Sequence, residues 1–133
     1  MANFFDWDPK TFGLGVAAMD QEHQQLIGYM NRLHALYVEK APRAAIGKAL
    51  TDLAQFTVKH FTDEEAYMAS VGFPELKTHA IMHKTLLERV GGFVADFQKT
   101  GQLTDAFFAF LKMWLKAHIC GIDIKYAKHP KAA

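Results

Sequence analysis

The chain has 133 residues, half of them hydrophobic, and a formal net charge of +1 from 15 basic and 14 acidic side chains. This length and composition predict one domain, residues 1–133, with a single continuous core. The sequence has neither a basic block nor an apolar segment of membrane-spanning length, which argues against nucleic acid as a partner and against membrane insertion. Its N-terminus lacks the pattern of a signal peptide, so we expect a cytoplasmic protein.

An N-terminal arm rich in aromatic residues precedes four helical patterns. The arm covers residues 1–19 and contains Phe4, Phe5, Trp7 and Phe12. Apolar residues at spacings of three and four then predict helices over about residues 20–38, 42–70, 74–99 and 104–128. Their expected boundary residues are Asp20 as first N-cap, Pro42 and Pro74 in first turns, Gly72 and Gly101 as stops, and Thr104 or Asp105 as last N-cap.

The short connections between these helices favour an all-α, up-down-up-down four-helix bundle. No stretch shows the alternation of a strand, so an α/β domain has little support. The bundle places one apolar face of each helix in the core, and the residues that interrupt those faces are therefore the candidates for a functional site.

Histidines and carboxylates interrupt the apolar faces at the spacing of metal ligands. Residues four apart lie on one helix face, so His60 with Glu64, and His79 with His83, each direct two side chains into one volume. Either pair alone is weak evidence for a metal site. Such pairs more often lie on a solvated helix face or form ordinary hydrogen bonds in a core. Seven polar groups fall on core faces, and each would cost about 1–3 kcal/mol without a partner. We predict that they hold two metal ions, the alternative being a network of buried hydrogen bonds. The set is His23, His60, Glu64, His79, His83, His118 and Asp123.

The last pair of this set does not fit a regular helix face. His118 and Asp123 are five residues apart, which places them about 140° apart at 3.6 residues per turn. If both bind metal, the fourth helix is expected to be distorted between them. A π-bulge is the predicted form of that distortion, and Gly121 would ease it.

The ordered set H, HxxxE, HxxxH and HxxxxD resembles the ligand pattern of the hemerythrin family, specifically its single-domain bacterial members. The resemblance covers nearly the whole chain, from the aromatic arm to Tyr126. It implies a cofactor of two iron ions (Fe²⁺/Fe³⁺) with a bridging oxo or hydroxo group. The resemblance also implies the ligand roles: one iron on His79, His83 and His118, the other on His23 and His60, and bridges from Glu64 and Asp123.

A dioxygen pocket near the two-histidine iron is a further implication of the resemblance. Its residues would be Leu26, Phe61, Trp114, Leu115 and Ile119. The plain interpretation of these five is bundle core, and both interpretations can hold together. Trp7 and Tyr126 match positions that the family uses around the centre.

The ligand count predicts what the centre does. Two six-coordinate irons offer about twelve positions, of which the histidines, the bridging carboxylates and a hydroxide fill about eleven. The open position belongs to the iron on His23 and His60, so we expect reversible dioxygen binding by an oxygen carrier, store or supply protein, and not an enzyme. The alternatives are a di-iron redox enzyme (peroxidase, ferrous oxidase or nitric oxide reductase) and an oxygen or redox sensor. An oxygen-consuming enzyme is a possible partner that the sequence does not identify.

Overall fold

The computed structural model describes residues 16–118 together with Phe5 and Gly13. Over this part the chain forms four α-helices and no strand. They are α1 (Ala17–Val38), α2 (Arg43–Ser70), α3 (Leu76–Thr100) and α4 (Asp105–Ala117). The predicted all-α, up-down-up-down four-helix bundle is confirmed. Among the helices described here, none combines the length and apolar content needed to cross a membrane.

Two apolar clusters of unequal size fill the described part of the bundle. The larger includes Leu26 and Phe61, each at most 2% exposed, and the smaller is formed by Met19, Met68, Val71 and Phe73. On α1, His23 lies between Met19 and Leu26 along the same face, and on α2, Glu64 lies between Phe61 and Met68. The predicted ligands therefore form a polar layer between two apolar clusters. This order follows from the helical repeat, which keeps residues three and four apart on one face.

One described residue of the arm is fixed to α1. The backbone N–H of Phe5 donates to Oδ1 of Asn31 at 2.8 Å, and Nδ2 of Asn31 donates to the carbonyl oxygen of Phe5 at 2.8 Å. The Phe5 ring is 4% exposed and belongs to the larger cluster. The other arm aromatics (Phe4, Trp7 and Phe12) lie outside the described residues.

The start of α1 corrects a prediction. Asp20 is not the N-cap, because α1 begins at Ala17 and the N–H of Asp20 donates to the carbonyl oxygen of Val16 at 2.9 Å. Val16 makes no side-chain capping bond, so the sequence carries no polar signal at the true helix start. Asp20 lies in the first turn, where its negative charge interacts favourably with the helix dipole.

The connection between α2 and α3 also differs from the expectation. Gly72 has φ +66°, and the N–H of Phe73 donates to the carbonyl oxygen of Met68 at 2.9 Å. This is a Schellman motif, in which the apolar contact between Met68 and Phe73 accompanies the left-handed residue. Pro74 remains in the turn and α3 begins at Leu76. Pro42 likewise stands one residue before α2 as its N-cap.

The boundary between α3 and α4 agrees with the prediction. Gly101 ends α3 with φ +70°, and Thr104 caps α4 because its hydroxyl accepts a hydrogen bond from the N–H of Phe107 at 3.2 Å. The predicted part of the fourth helix beyond His118 lies outside the described residues.

Removal of this cap gives a first testable prediction. Thr104→Ala should lower the free energy of unfolding by about 1 kcal/mol, since the N–H of Phe107 loses its side-chain acceptor. Chemical denaturation followed by circular dichroism measures the change. Thr78→Ala, at an exposed position of α3, is the matched control and should leave stability equal or slightly higher. Equal stability of both variants would contradict the capping role.

Candidate metal centre

Six of the seven predicted ligands converge in the polar layer. α1 contributes His23, α2 contributes His60 and Glu64, α3 contributes His79 and His83, and His118 follows the last residue of α4. Every one of these six side chains is at most 3% exposed. The seventh, Asp123, lies outside the described residues. The four helices therefore enclose a polar cluster whose described side chains are buried.

The carboxylate of Glu64 lies at the centre of this cluster. Its Oε2 is 3.4 Å from Nε2 of His23. Its Oε1 is 3.4 Å from Nε2 of His60, 3.1 Å from Nε2 of His83 and 3.8 Å from Nε2 of His118. A single buried carboxylate thus faces histidines from all parts of the bundle.

The histidines form two groups that share Glu64. One group joins Glu64 to His79, His83 and His118, and the other joins it to His23 and His60. Within each group the potential ligand atoms lie within 4.8 Å of one another, close to the roughly 4 Å between opposite ligands of one ion at metal–ligand distances of about 2 Å. Each group can therefore hold one metal ion.

Opposing effects act on the ionisation of Glu64. Burial by itself raises the pKa of the carboxyl, but hydrogen bonds from His118, His23 and His83, together with the charge of His60, outweigh it. The pKa of Glu64 therefore lies well below its ordinary value. The carboxylate is charged at neutral pH, which is the state that binds a metal ion.

Two glutamates outside the predicted set contact the cluster from its outer side. Oε1 of Glu22 lies 2.8 Å from Nδ1 of His60, and Oε2 of Glu65 lies 3.2 Å from Nδ1 of His83. Because a carboxylate only accepts, each Nδ1 is the donor and each Nε2 is left facing the centre. Sequence reasoning missed both glutamates. The only sequence signal for these glutamates was that each is adjacent to a predicted ligand. This signal was insufficient, because a partly exposed glutamate on a helix usually lies on a solvated face.

The backbone changes form at the end of α4, where the spacing predicts a distortion to begin. His118 is π-helical, directly after the regular turns of α4. This agrees with a distortion beginning at the last predicted histidine. Gly121 and Asp123 lie outside the described residues, so the length of the distortion stays a prediction.

The four described residues of the predicted dioxygen pocket all belong to the larger apolar cluster. Leu26, Phe61 and Leu115 are at most 2% exposed, and Trp114 is 8% exposed. The ring of Phe61 stacks on His83 with a centroid distance of 3.8 Å and an interplanar angle of 3°. It lies between the two histidine groups, since its centroid is also 6.0 Å from that of His60. The other predicted surroundings of the centre, Ile119, Trp7 and Tyr126, lie outside the described residues.

An apolar groove of about 310 Å³ reaches the cluster from the side of α3 and α4. Ile81, Met82 and Leu86 line it on α3, and Trp114 and His118 line it on the opposite side. The groove touches the three-histidine group, whereas the dioxygen pocket was expected near the two-histidine group. Trp114 is the residue common to the groove and the predicted pocket.

Comparison with known proteins identifies relatives over most of the chain. The family model of the hemerythrin HHE cation binding domain matches residues 14–129. Bacteriohemerythrin from Stenotrophomonas maltophilia is 32% identical over 119 residues, which cover 90% of this chain and 77% of the relative. Myohemerythrin from Riftia pachyptila is 36% identical over 120 residues, with 90% and 88% covered. A crystal structure of wild-type hemerythrin has a TM-score of 0.88 at 26% identity, over 96% of this chain and 98% of that one.

Proposed function

The chain belongs to the hemerythrin family, and we propose that it binds dioxygen reversibly at two iron ions held between its four helices. The observation that carries this proposal is the position of Glu64, whose buried carboxylate belongs to both histidine groups. A carboxylate shared in this way is suited to bridge two ions. One iron would be held by His79, His83 and His118, and the other by His23 and His60. Asp123 is proposed as the second bridge.

The chemistry of the described residues fits iron. Imidazole and carboxylate are ligands that iron accepts in non-haem sites. Nε2 of His60 is buried and makes no hydrogen bond to the described part of the chain, while Oε1 of Glu64 lies 3.4 Å away. Leaving a buried nitrogen without a partner costs about 1–3 kcal/mol. A bound ion would supply the missing partner of this Nε2 atom.

The balance of ligands favours binding over oxidation. Two ferrous ions would supply the two electrons that dioxygen accepts on reversible binding. Di-iron bundles of the ferritin-like type use about four glutamates, whose negative charge supports further oxidation of the metal. Here Glu64 is the carboxylate of the described cluster, and Asp123 would bring the number to two. We therefore propose an oxygen carrier or store and not an oxidase.

The apolar side chains around the cluster would keep the binding reversible. Leu26, Phe61 and Leu115 are buried and exclude water from the larger apolar cluster. Water and protons that reached the centre would favour irreversible oxidation of bound iron over reversible binding. An apolar surrounding controls this access.

Leu115 provides the test of that role, because it lies one helical turn before His118 and is 1% exposed. Leu115→Asn should accelerate the irreversible loss of dioxygen binding by about tenfold, which corresponds to about 1.4 kcal/mol in the barrier. The decay of the dioxygen-dependent visible absorption measures the rate. Leu115→Met keeps the position apolar and should decay at nearly the original rate. Identical rates in both variants would show that the apolar surrounding does not protect the centre.

Reversibility itself separates a carrier from a redox enzyme of the same site. Iron-quantified protein is reduced without oxygen, exposed to dioxygen and then degassed while its visible absorption is recorded. A carrier develops a charge-transfer band that disappears on degassing and returns over repeated cycles. A stable oxidised spectrum after the first exposure, together with turnover when a reductant is present, would replace the proposal with a redox enzyme or a sensor.

A further inference from the structure

The two outer glutamates are arranged in the same way on neighbouring helices. Glu22 precedes the predicted ligand His23 on α1 and contacts His60 on α2, at 2.8 Å. Glu65 follows the predicted ligand Glu64 on α2 and contacts His83 on α3, at 3.2 Å. In both cases the helical turn that carries an inner ligand also carries an outer carboxylate for a histidine of the next helix. One such pair falls in each of the two histidine groups.

The two outer contacts differ in length and in exposure to solvent. The Glu22 side chain is 13% exposed, whereas that of Glu65 is 37% exposed, and the Glu22 contact is the shorter by 0.4 Å (3.2 minus 2.8 Å). Glu22 is also restrained on its solvent side, since Nζ of Lys59 lies 3.5 Å from its Oε2 and 2.7 Å from Oδ2 of Asp63. Charge-assisted hydrogen bonds are strongest when they are short and shielded from water.

From these contacts we infer that Glu22 is a positioning residue for one of the two metal ions, acting through His60. Its carboxylate accepts the Nδ1–H of His60, holds the imidazole in one tautomer and orientation, and increases the basicity of the Nε2 that faces the centre. Glu65 does the same for His83 and therefore for the other ion, with a smaller effect. This inference rests on the proposed two-ion centre, and it predicts that the affinities of the two ions can be altered separately.

Metal titration without dioxygen provides the test. Apo protein is titrated with Co²⁺ in the presence of a competing chelator, and the visible bands of Co²⁺ report each binding step. Glu22→Ala should weaken one of the two steps by about 10–100-fold. Glu65→Ala should weaken the other step by a smaller factor. Glu22→Gln keeps a hydrogen-bond acceptor without the charge and should give an intermediate affinity. Glu39→Ala, at the exposed C-cap of α1, is the control and should leave both steps unchanged.

Proton NMR of the imidazole N–H groups in the Zn²⁺-loaded protein provides a second test. A residue with only a structural role would not affect these signals. In the unchanged protein, the Nδ1–H proton of His60 should resonate far downfield and exchange slowly with water, because a carboxylate accepts it. Glu22→Ala should abolish this signal and leave that of His83 in place, whereas Glu22→Gln should retain it at higher field. If Glu22 only forms ion pairs at the surface, the His60 signal should persist in both variants.

The outcomes distinguish this inference from the proposed function. If the unchanged protein binds fewer than two Co²⁺ ions, both the two-ion centre and the role of Glu22 are wrong. If it binds two ions, and Glu22→Ala alters neither binding step nor the His60 signal, the positioning role is wrong while the dioxygen proposal stands. If Glu22→Ala lowers the affinity for Co²⁺ in only one binding step and also loses the His60 signal, the inference is supported.

Discussion

Glu64→Gln is expected to reduce the iron content from about two ions per chain to well below one, because both ions would lose their common charged ligand. Glu64 is the carboxylate of both histidine groups within the described part of the chain. Its oxygens lie 3.1 to 3.8 Å from histidines on all sides. An amide of nearly the same volume preserves the packing but removes the negative charge that offsets two divalent ions.

Iron analysis after reconstitution measures this change, with Glu88→Gln as the matched control. Glu88 is an exposed residue of α3, so its amide variant removes the same charge without contacting the cluster. The control should retain the iron content of the unchanged protein. Circular dichroism verifies that both variants are folded. An undiminished iron content in Glu64→Gln would contradict the bridging position of this carboxylate.

Removal of metal is expected to produce the largest change in stability. Ions that bind only the folded chain stabilise it by about 4 kcal/mol when their free concentration is 1,000 times the dissociation constant. The cluster in its empty form retains six polar side chains that are at most 3% exposed, and burial of polar groups is costly when their hydrogen bonds are incomplete. Apo protein should therefore unfold about 10 to 20 °C below the metal-bound form.

Thermal unfolding of apo protein and of protein reconstituted with Zn²⁺ measures this difference without interference from oxygen chemistry. Glu64→Gln is again informative, since it should unfold at nearly the same temperature with and without added metal. Midpoints that agree within about 2 °C for the unchanged protein would correspond to less than about 1 kcal/mol. Such a result would show that the cluster is a hydrogen-bond network and not a metal centre.

The sequence was sufficient to predict the helices and the convergence of the polar groups. The 3.6-residue repeat determines which residues share a face, so His60 and Glu64, or His79 and His83, had to point toward the same volume once four helices packed together. Their position between apolar residues made burial predictable as well. The ends marked by Gly101 and Thr104 were predictable because each has a defined conformational role.

Features that depend on how neighbouring helices are rotated against each other could not be predicted. Glu22 reaches His60 across the boundary between α1 and α2, and Phe61 stacks on His83 across the boundary between α2 and α3. Nothing in the local spacing of these residues distinguishes them from ordinary surface or core positions. The start of α1 at Ala17 was missed for a different reason, since Val16 offers no capping side chain to mark it.

Anomalous diffraction at the iron absorption edge, on crystals of the reconstituted protein, would show directly whether Glu64 lies between two iron ions. We expect two iron peaks with the Glu64 carboxylate between them. One peak should lie among His79, His83 and His118, and the other beside His23 and His60. A single peak, or two peaks that both lie on one side of Glu64, would contradict the shared bridge on which the proposed dioxygen binding depends.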